Sequence, residues 1–297
     1  MYLVFDIGGT AIKYAYLNEE GTILERHEFL SNSLHTLSEF IESLSQIYHE
    51  RTYDVDGIAL ACPGVIDAQN GKILVISAYP YLNEVCLTEE LSKACGGIKV
   101  TLENDGKCAG LAEAWIGNAS AYQDSIVVVF GTGIGGAIIK NKAVHHGGHR
   151  LAGEISTIIS DYDVSQNKFI TWADTSSTKA LCQITANRLN LPVSEVNGYF
   201  IFERAEQNDP IVLEILDQFY MDVAVQLYNL QYMYDPEIIC LGGGISKQPR
   251  VLEGVQKALE HIYNVTKKQL LIPKVTTCKY YNDANLIGAL YHFKQIR

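Results

Sequence analysis

The sequence contains no apolar run of about 18 residues, the length a membrane-spanning helix needs, so nothing in it reads as a membrane span. It contains no C-x-x-C pair. Its 7 cysteines, Cys62, Cys86, Cys95, Cys108, Cys182, Cys240 and Cys278, are odd in number and scattered. That pattern fits reduced thiols of a cytoplasmic protein and excludes a disulfide framework or a zinc knuckle. Basic residues are in deficit: 23 Lys and Arg stand against 34 Asp and Glu, a net charge of -11. Such a surface repels phosphate backbones, which argues against nucleic acid as a partner. There is no low-complexity linker and no charge block. A leader peptide is not expected either, because a strand-like run begins at Tyr2.

The chain has 297 residues, of which 47% are hydrophobic and 19% charged, an ordinary globular balance that allows one large or two moderate domains. The start, "MYLVFDIGGTAIKYAYLNEEGTILERHEF", reads as strand, glycine turn, strand, turn, strand. Leu34, Leu37, Phe40, Ile41, Leu44 and Ile47 follow at helical spacing. "VDGIALACPG" is a strand closed by Pro63-Gly64, and "LTEELSKAC" is a helix with Thr88 expected as its N-cap. "IKVTLEND" is a strand ending in polar residues, and "GKCAGLAEAWIG" is a helix. Helices are expected to dominate Ile170 to Leu191 and Pro210 to Tyr234. "PEIICLGGGIS" is a strand that enters another glycine turn, and the chain ends in the helical "NDANLIGALYHFK".

The segment "VVVFGTGIGGAIIKN" carries the first chemical signal. Gly131, Gly133 and Gly136 satisfy G-x-G-x-x-G, and Glu154 follows at roughly the distance of a ribose-binding acid. A dinucleotide fingerprint requires a helix after the glycines, because the helix N-terminus holds the pyrophosphate. Here "AIIKNKAV" follows, short and rich in branched residues, and reads as a returning strand. The dinucleotide reading therefore fails. A glycine turn between two strands instead exposes a nest of backbone N–H groups suited to phosphate oxygens. Phe5-Asp6-Ile7-Gly8-Gly9-Thr10 resembles Phe130-Gly131-Thr132-Gly133-Ile134-Gly135, a weak internal repeat. Two such turns, each with a threonine, are poorly explained as plain hairpin turns.

Six motifs in order carry a family resemblance. "FDIGGTAIK" resembles the first phosphate loop of the ROK family (repressors, open reading frames, kinases) within the actin-like ATPase and sugar-kinase superfamily. "ACPGVID" is similar to that family's Pro-Gly turn, "LENDGKCAGLAE" to its Asn-Asp sugar motif, "VVFGTGIGGAI" to its second phosphate loop, "LAGEIS" to its A-G-E-x-G-H motif and "ICLGGGIS" to its nucleoside loop. The resemblance spans nearly the whole chain. It implies an α/β protein of two ribonuclease-H-like domains flanking a substrate cleft. The small domain would take residues 1–115 plus 283–297 and the large domain residues 116–282. It also implies a kinase that moves the γ-phosphoryl group of ATP to a sugar hydroxyl, usually at C6. Asp105 would be the general base. Gly64, Asn104 and Glu154 would bind the sugar with it. Gly8, Gly9 and Thr10, with Lys13, would meet phosphate on one side, and Gly131, Thr132 and Gly133 on the other. Gly243 and Gly244 would pack on the nucleoside. Asp6 would orient Mg²⁺ through water. A homodimer is expected, with Phe219, Tyr220, Leu227 and Tyr228 as candidates for its interface or for the core.

The sequence departs from the family in one place. Many relatives run from A-G-E-x-G-H into a cysteine cluster that binds zinc. Here Thr157 occupies the histidine position, and "IISDYDVSQNKFITWADTSSTKAL" holds neither Cys nor His, so no zinc is expected. His145, His146 and His149 precede the motif and read as a solvated loop. Asp174 receives no role. In zinc-bearing relatives the histidine at the Thr157 position also touches the sugar near its anomeric end, so the resemblance implies that the smaller threonine leaves room there. This resembles the β-glucoside kinases, with cellobiose as an acceptor; glucokinase, N-acetylmannosamine kinase and fructokinase are the alternatives. A sugar-sensing regulator of the same family would carry a helix-turn-helix ahead of the first phosphate loop, and Asp6 stands too near the start for one.

Overall fold

The computed structural model describes residues 1–267 and 271–296. Arg297, the last residue of the expected small domain, and residues 268–270 of the expected large one lie outside these. In chain order the strands and helices are β1 (Tyr2–Ile7), β2 (Ala11–Leu17), β3 (Ile23–Leu30), α1 (Leu37–His49), β4 (Gly57–Cys62), β5 (Val65–Asp67), β6 (Lys72–Val75), α2 (Leu87–Ala94), β7 (Val100–Asn104) and α3 (Asp105–Ile116). Then come β8 (Ser125–Phe130), β9 (Ile134–Lys140), β10 (Ala143–Val144), β11 (Ile159–Asp163), β12 (Lys168–Thr171), α4 (Trp172–Ser176), α5 (Thr178–Leu189), α6 (Gly198–Glu206), α7 (Pro210–Tyr234), β13 (Ile238–Gly243), α8 (Pro249–Thr266), β14 (Val275–Thr277) and α9 (Ala284–Gln295).

Two five-stranded sheets organise the chain, ordered β3-β2-β1-β4-β7 and β10-β9-β8-β13-β14. Their plans agree. β1 is antiparallel to β2 and parallel to β4; β8 is antiparallel to β9 and parallel to β13. The weak repeat between the two glycine turns thus extends to the sheets behind them. The chain separates into two compact units, Met1–Ile116 with Ala143–Ala152 and Asn282–Arg297, and Gly117–Lys142 with Gly153–Tyr281.

In the first unit β1 is central, and each of its residues, "YLVFDI", is buried. A strand that is apolar except for Asp6 suits a sheet interior covered on both faces. Leu3, Phe5, Ile58, Leu60 and Leu102 form its core with Phe40 and Leu44 of α1. Helix α1 starts at a capping box: the Thr36 hydroxyl accepts from the Glu39 N–H, and the Glu39 carboxylate accepts from the Thr36 N–H. The expected cap of α2 is not formed. Cys86 occupies the N-cap position, and the Thr88 hydroxyl instead donates to the Gly71 carbonyl at 3.4 Å.

The second unit packs α7 and α8 over its sheet. Helix α7 opens on Asp209, whose carboxylate accepts from the N–H of Ile211 and Val212, with Pro210 in the first turn. Phe219, Tyr220 and Leu227 are buried in the core of this unit, which takes them out of the candidate set for an open interface. Tyr228 is half-buried against the same cluster. Two features were not anticipated. Residues 159–171 hold the β11–β12 hairpin ahead of the helices, and residues 198–206 form α6. Asp174 serves the local structure, because its carboxylate accepts from the Thr171 N–H at 2.9 Å and closes the capping box of α4.

Candidate functional site

Functional residues gather where the parallel strands end. In the first unit β1, β4 and β7 run parallel, with Asp6 opposite Ala61 and Cys62 opposite Asn104. Their carboxyl ends therefore bring Asp6, the turn after Cys62 and the Asn104-Asp105 pair to one sheet edge, where open α/β sheets place ligands. The negative fields of both Asp105 and Asp6 reach the buried Cys62 thiol, whose pKa is raised by burial first and by these two charges next.

Asp6 is buried, and burial pushes its carboxyl above the ordinary aspartate range. A hydrogen bond from Asn285 Nδ2 to Asp6 Oδ1 at 3.0 Å and the charge of Lys13 oppose that rise. Lys13 faces Asp6 across the β1–β2 pairing, so the turn between the two strands, Gly8-Gly9-Thr10, lies next to an acid–base pair. The Gly8 N–H closes the turn on the Ala11 carbonyl at 3.1 Å. The Gly8 carbonyl accepts from the Tyr79 hydroxyl and from Ser31 Oγ. Gly9 and Thr10 are exposed.

Gly64 holds the Pro-Gly turn at a φ of 103°, and a Cβ there would meet the Val75 carbonyl at 2.2 Å. Its carbonyl accepts from Asn104 Nδ2 at 3.0 Å. Asn104 Oδ1 accepts from the Lys107 N–H at 3.0 Å and caps α3. Asn104 thus joins the Pro-Gly turn to the helix that begins at Asp105. Asp105 Oδ1 accepts from the Gly106 N–H at 2.8 Å.

In the second unit β8 and β13 run parallel, with Gly243 opposite Phe130, so the two glycine turns sit side by side at one sheet edge. A cavity of about 540 Å³ opens there. Gly131, Thr132 and Gly244 line it, together with Lys179 on α5, Tyr199 on α6 and Lys247 after β13. Gly133, Gly243 and Glu154 are not among its lining residues. The Gly131 N–H closes on the Gly133 carbonyl at 2.9 Å, and the Gly131 carbonyl accepts from the Lys179 N–H at 3.4 Å. The first turn of α5, capped by Ser177, therefore abuts the glycine turn. The N-terminus of a helix favours an anion. Lys179 and Lys247 went unassigned in the sequence; the Ser-Ser-Thr run before Lys179 was the available helix-start signal.

Glu154 is half-buried and follows Gly153, which is buried against β9. Its carbonyl accepts from the Thr157 hydroxyl at 2.9 Å, and Thr157 is exposed. The segment that follows Thr157 forms the β11–β12 hairpin. Among the described residues no group of three or more His, Cys, Asp and Glu could hold a metal ion. The three upstream histidines do not form one solvated group. His145 and His149 are exposed, but His146 is half-buried, with Nε2 at 2.6 Å from Oε2 of the buried Glu103. No described helix is long and apolar enough to cross a membrane.

The family model for ROK proteins matches residues 2–296. The chain belongs to the ROK family. Within it, the chain is 32% identical to a β-glucoside kinase of Listeria innocua, over 98% of this chain and 96% of that one. It is 30% identical to a β-glucoside kinase of Klebsiella pneumoniae, over 98% and 95%. The crystal structure of a ROK family protein from Streptococcus pneumoniae in complex with sucrose superposes with a TM-score of 0.90 at 32% identity, covering 99% of this chain and 98% of that one. The fold is accordingly the two-sheet actin-like ATPase fold of ROK sugar kinases.

Proposed function

We propose that this ROK protein is a sugar kinase that transfers the γ-phosphoryl group of ATP to the C6 hydroxyl of a glucosyl sugar, with a β-glucoside such as cellobiose as the preferred acceptor. The observation that carries the reading is the sheet edge of the first unit: an acid at the end of β1 beside a glycine turn, and a second acid at the start of α3, both acting on Cys62. The names of the two kinase relatives support the choice of acceptor.

A sugar hydroxyl is a weak nucleophile. In the proposed reaction its oxygen forms a bond to the γ-phosphorus as the bond from that phosphorus to the β–γ bridging oxygen breaks. ADP carries away the electron pair, and Asp105 takes the hydroxyl proton. General base assistance of this kind contributes roughly 10²–10⁴-fold. Asn104, Gly64 and Glu154 orient the sugar. The Gly8–Thr10 turn and Lys13 meet phosphate. Gly131, Thr132 and Gly133 serve as a second phosphate loop, and Gly243 and Gly244 as the nucleoside contact, with Gly244 in the cavity of the second unit. Much of the remaining acceleration is alignment and charge neutralisation. Asp6 supplies a hard oxygen donor at the sheet edge, which suits Mg²⁺; the ion, when bound, neutralises phosphate charge. Zinc is not part of the proposal, because Thr157 and the hairpin provide neither Cys nor His. Exposed Thr157 leaves space for a second sugar. A cytoplasmic homodimer completes the reading.

The experiment is a panel of cellobiose, gentiobiose, glucose, N-acetylmannosamine and fructose with ATP and Mg²⁺, followed by determination of the phosphorylated carbon by NMR. Cellobiose is expected to have the highest kcat/KM and to be modified at C6 of its non-reducing glucose. A strong preference for free glucose replaces the β-glucoside assignment with glucokinase, and no turnover on any sugar rejects the kinase.

A further inference from the structure

Glu103, one residue before Asn104, is fully buried on β7. An acid in that position is costly unless it is paired. Its two oxygens take different partners. Oε2 lies 2.6 Å from His146 Nε2, and Oε1 accepts from the Asn104 N–H at 2.7 Å. An ionised carboxylate only accepts, so His146 Nε2 carries the proton of this hydrogen bond. The connection continues through Asn104, whose side chain holds the Lys107 N–H of α3 on one atom and the Gly64 carbonyl on the other. Asp105 is the first residue of α3 and stands between these anchors. The segment carrying His146 is itself fastened: Arg150 pairs with Asp67 at 2.7 Å, and the buried Lys107 donates from Nζ to the Arg150 carbonyl at 3.3 Å.

We infer that His146 is a positioning residue for Asp105: its hydrogen bond fixes the Glu103 carboxylate, which holds the Asn104 amide and, through Asn104, the β7–α3 junction. This rests on the reading of Asp105 as the base. It assigns a role to a histidine that lies far from Asp105 in sequence and outside the six motifs.

The groups that act on Glu103 are His146 from residues 143–152, His292 from α9 with Nδ1 at 3.7 Å, and the Asn104 N–H of its own strand; Glu103 in turn raises the Cys108 thiol of α3. Lys99 and His146 act in turn on His292. Burial pushes the Glu103 carboxyl up. The His146 hydrogen bond, the charges of His292 and His146 and the Asn104 amide more than offset it, so Glu103 sits below the ordinary glutamate range. A carboxyl with a lowered folded pKa stabilises the fold above its unfolded pKa, and that contribution is lost as pH falls through the folded value. Removing His146 leaves burial less opposed, so the folded protein protonates Glu103 at a higher pH and this stabilising contribution shrinks.

The test compares wild type, His146→Leu and His146→Gln by steady-state kinetics between about pH 5 and pH 9, the span in which imidazole–carboxylate pairs titrate, and by hydrogen exchange at the Asn104 amide. His146→Leu is expected to lower kcat about tenfold to a hundredfold, as a slightly misplaced catalytic group does. KM for ATP is expected to stay within about twofold, the acid limb of the profile to move up, and Asn104 exchange to quicken. His146→Gln keeps an N–H donor and is expected to recover most of the rate. A His146→Leu variant with unchanged exchange and an unchanged acid limb overturns the inference, and so does a Gln variant as impaired as the Leu variant. Failure of the kinase reading looks different: wild type then phosphorylates no sugar. The exchange measurement still decides the Glu103–Asn104 link, upheld by faster exchange in His146→Leu and overturned by unchanged exchange.

Discussion

Asn285 on α9 donates its side-chain N–H to Asp6 on β1 at 3.0 Å, so the last helix of the chain bears on the first strand's acid. Burial raises the Asp6 carboxyl, and Asn285 and Lys13 only oppose that rise. An acid raised in the folded state binds its proton more tightly there than in the unfolded chain. Its contribution to stability therefore declines as pH climbs from the unfolded to the folded value, and the ionised form is a cost at neutral pH. Asp6→Asn is expected to raise Tm at pH 7, with a gain that vanishes in acid. The same change is expected to lower kcat by roughly two orders of magnitude, because the carboxylate proposed to orient Mg²⁺ at the phosphates is lost. Thermal unfolding at two pH values, paired with a coupled ADP assay, checks both halves; a lower Tm at pH 7 contradicts the burial argument.

Asp105→Asn keeps the size of the side chain and an acceptor for the Gly106 N–H, but not the proton-accepting oxygen pair. Turnover is expected to fall about 10²–10⁴-fold while sugar affinity by calorimetry stays within a few fold. An Asn variant with a tenth or more of wild-type turnover would place the base elsewhere.

Much of the first unit was legible because its central strands are mainly apolar runs that stop at a turn residue. Tyr2–Ile7 and Gly57–Cys62 are buried throughout, and such runs, ended by Gly8 or Pro63, admit few other readings. The β11–β12 hairpin was not legible. Ile159 and Phe169 are both more than half exposed, so no buried face imposed an alternation to read. The tie between His146 and Glu103 was hidden for a different reason: it joins residues 43 positions apart, and nothing local marks such a pair. Asp174 was locally marked, since T-x-x-D can close a capping box as T-x-x-E does, and it stands in the first turn of helix α4.

Thr157 spends its hydroxyl on the Glu154 carbonyl and is exposed. Restoring the larger residue common in the family, Thr157→His, is expected to shift the ratio of kcat/KM for cellobiose over glucose about tenfold toward glucose, the size of effect that filling a pocket produces. The KM for ATP should not change. An unaltered ratio would mean that this position does not set acceptor length.

Gly243 sits at a φ of 89°, and a Cβ on it would come within 2.0 Å of the Phe130 carbonyl. Both causes act against any side chain: the backbone conformation favours glycine, and the neighbouring strand end cannot withdraw without disturbing the Gly131 turn that follows Phe130. Gly243→Ala is expected to cost about 1–3 kcal/mol of stability. Because Gly131, Thr132 and Gly244 line the same cavity, the change should also raise KM for ATP about tenfold or more, with a smaller effect on KM for the sugar. Gly244→Ala is the control for strain alone, since a Cβ there meets nothing within 4 Å. Urea denaturation of the pair isolates that strain: equal losses of stability in both variants would show that the Phe130 approach is not what the glycine serves.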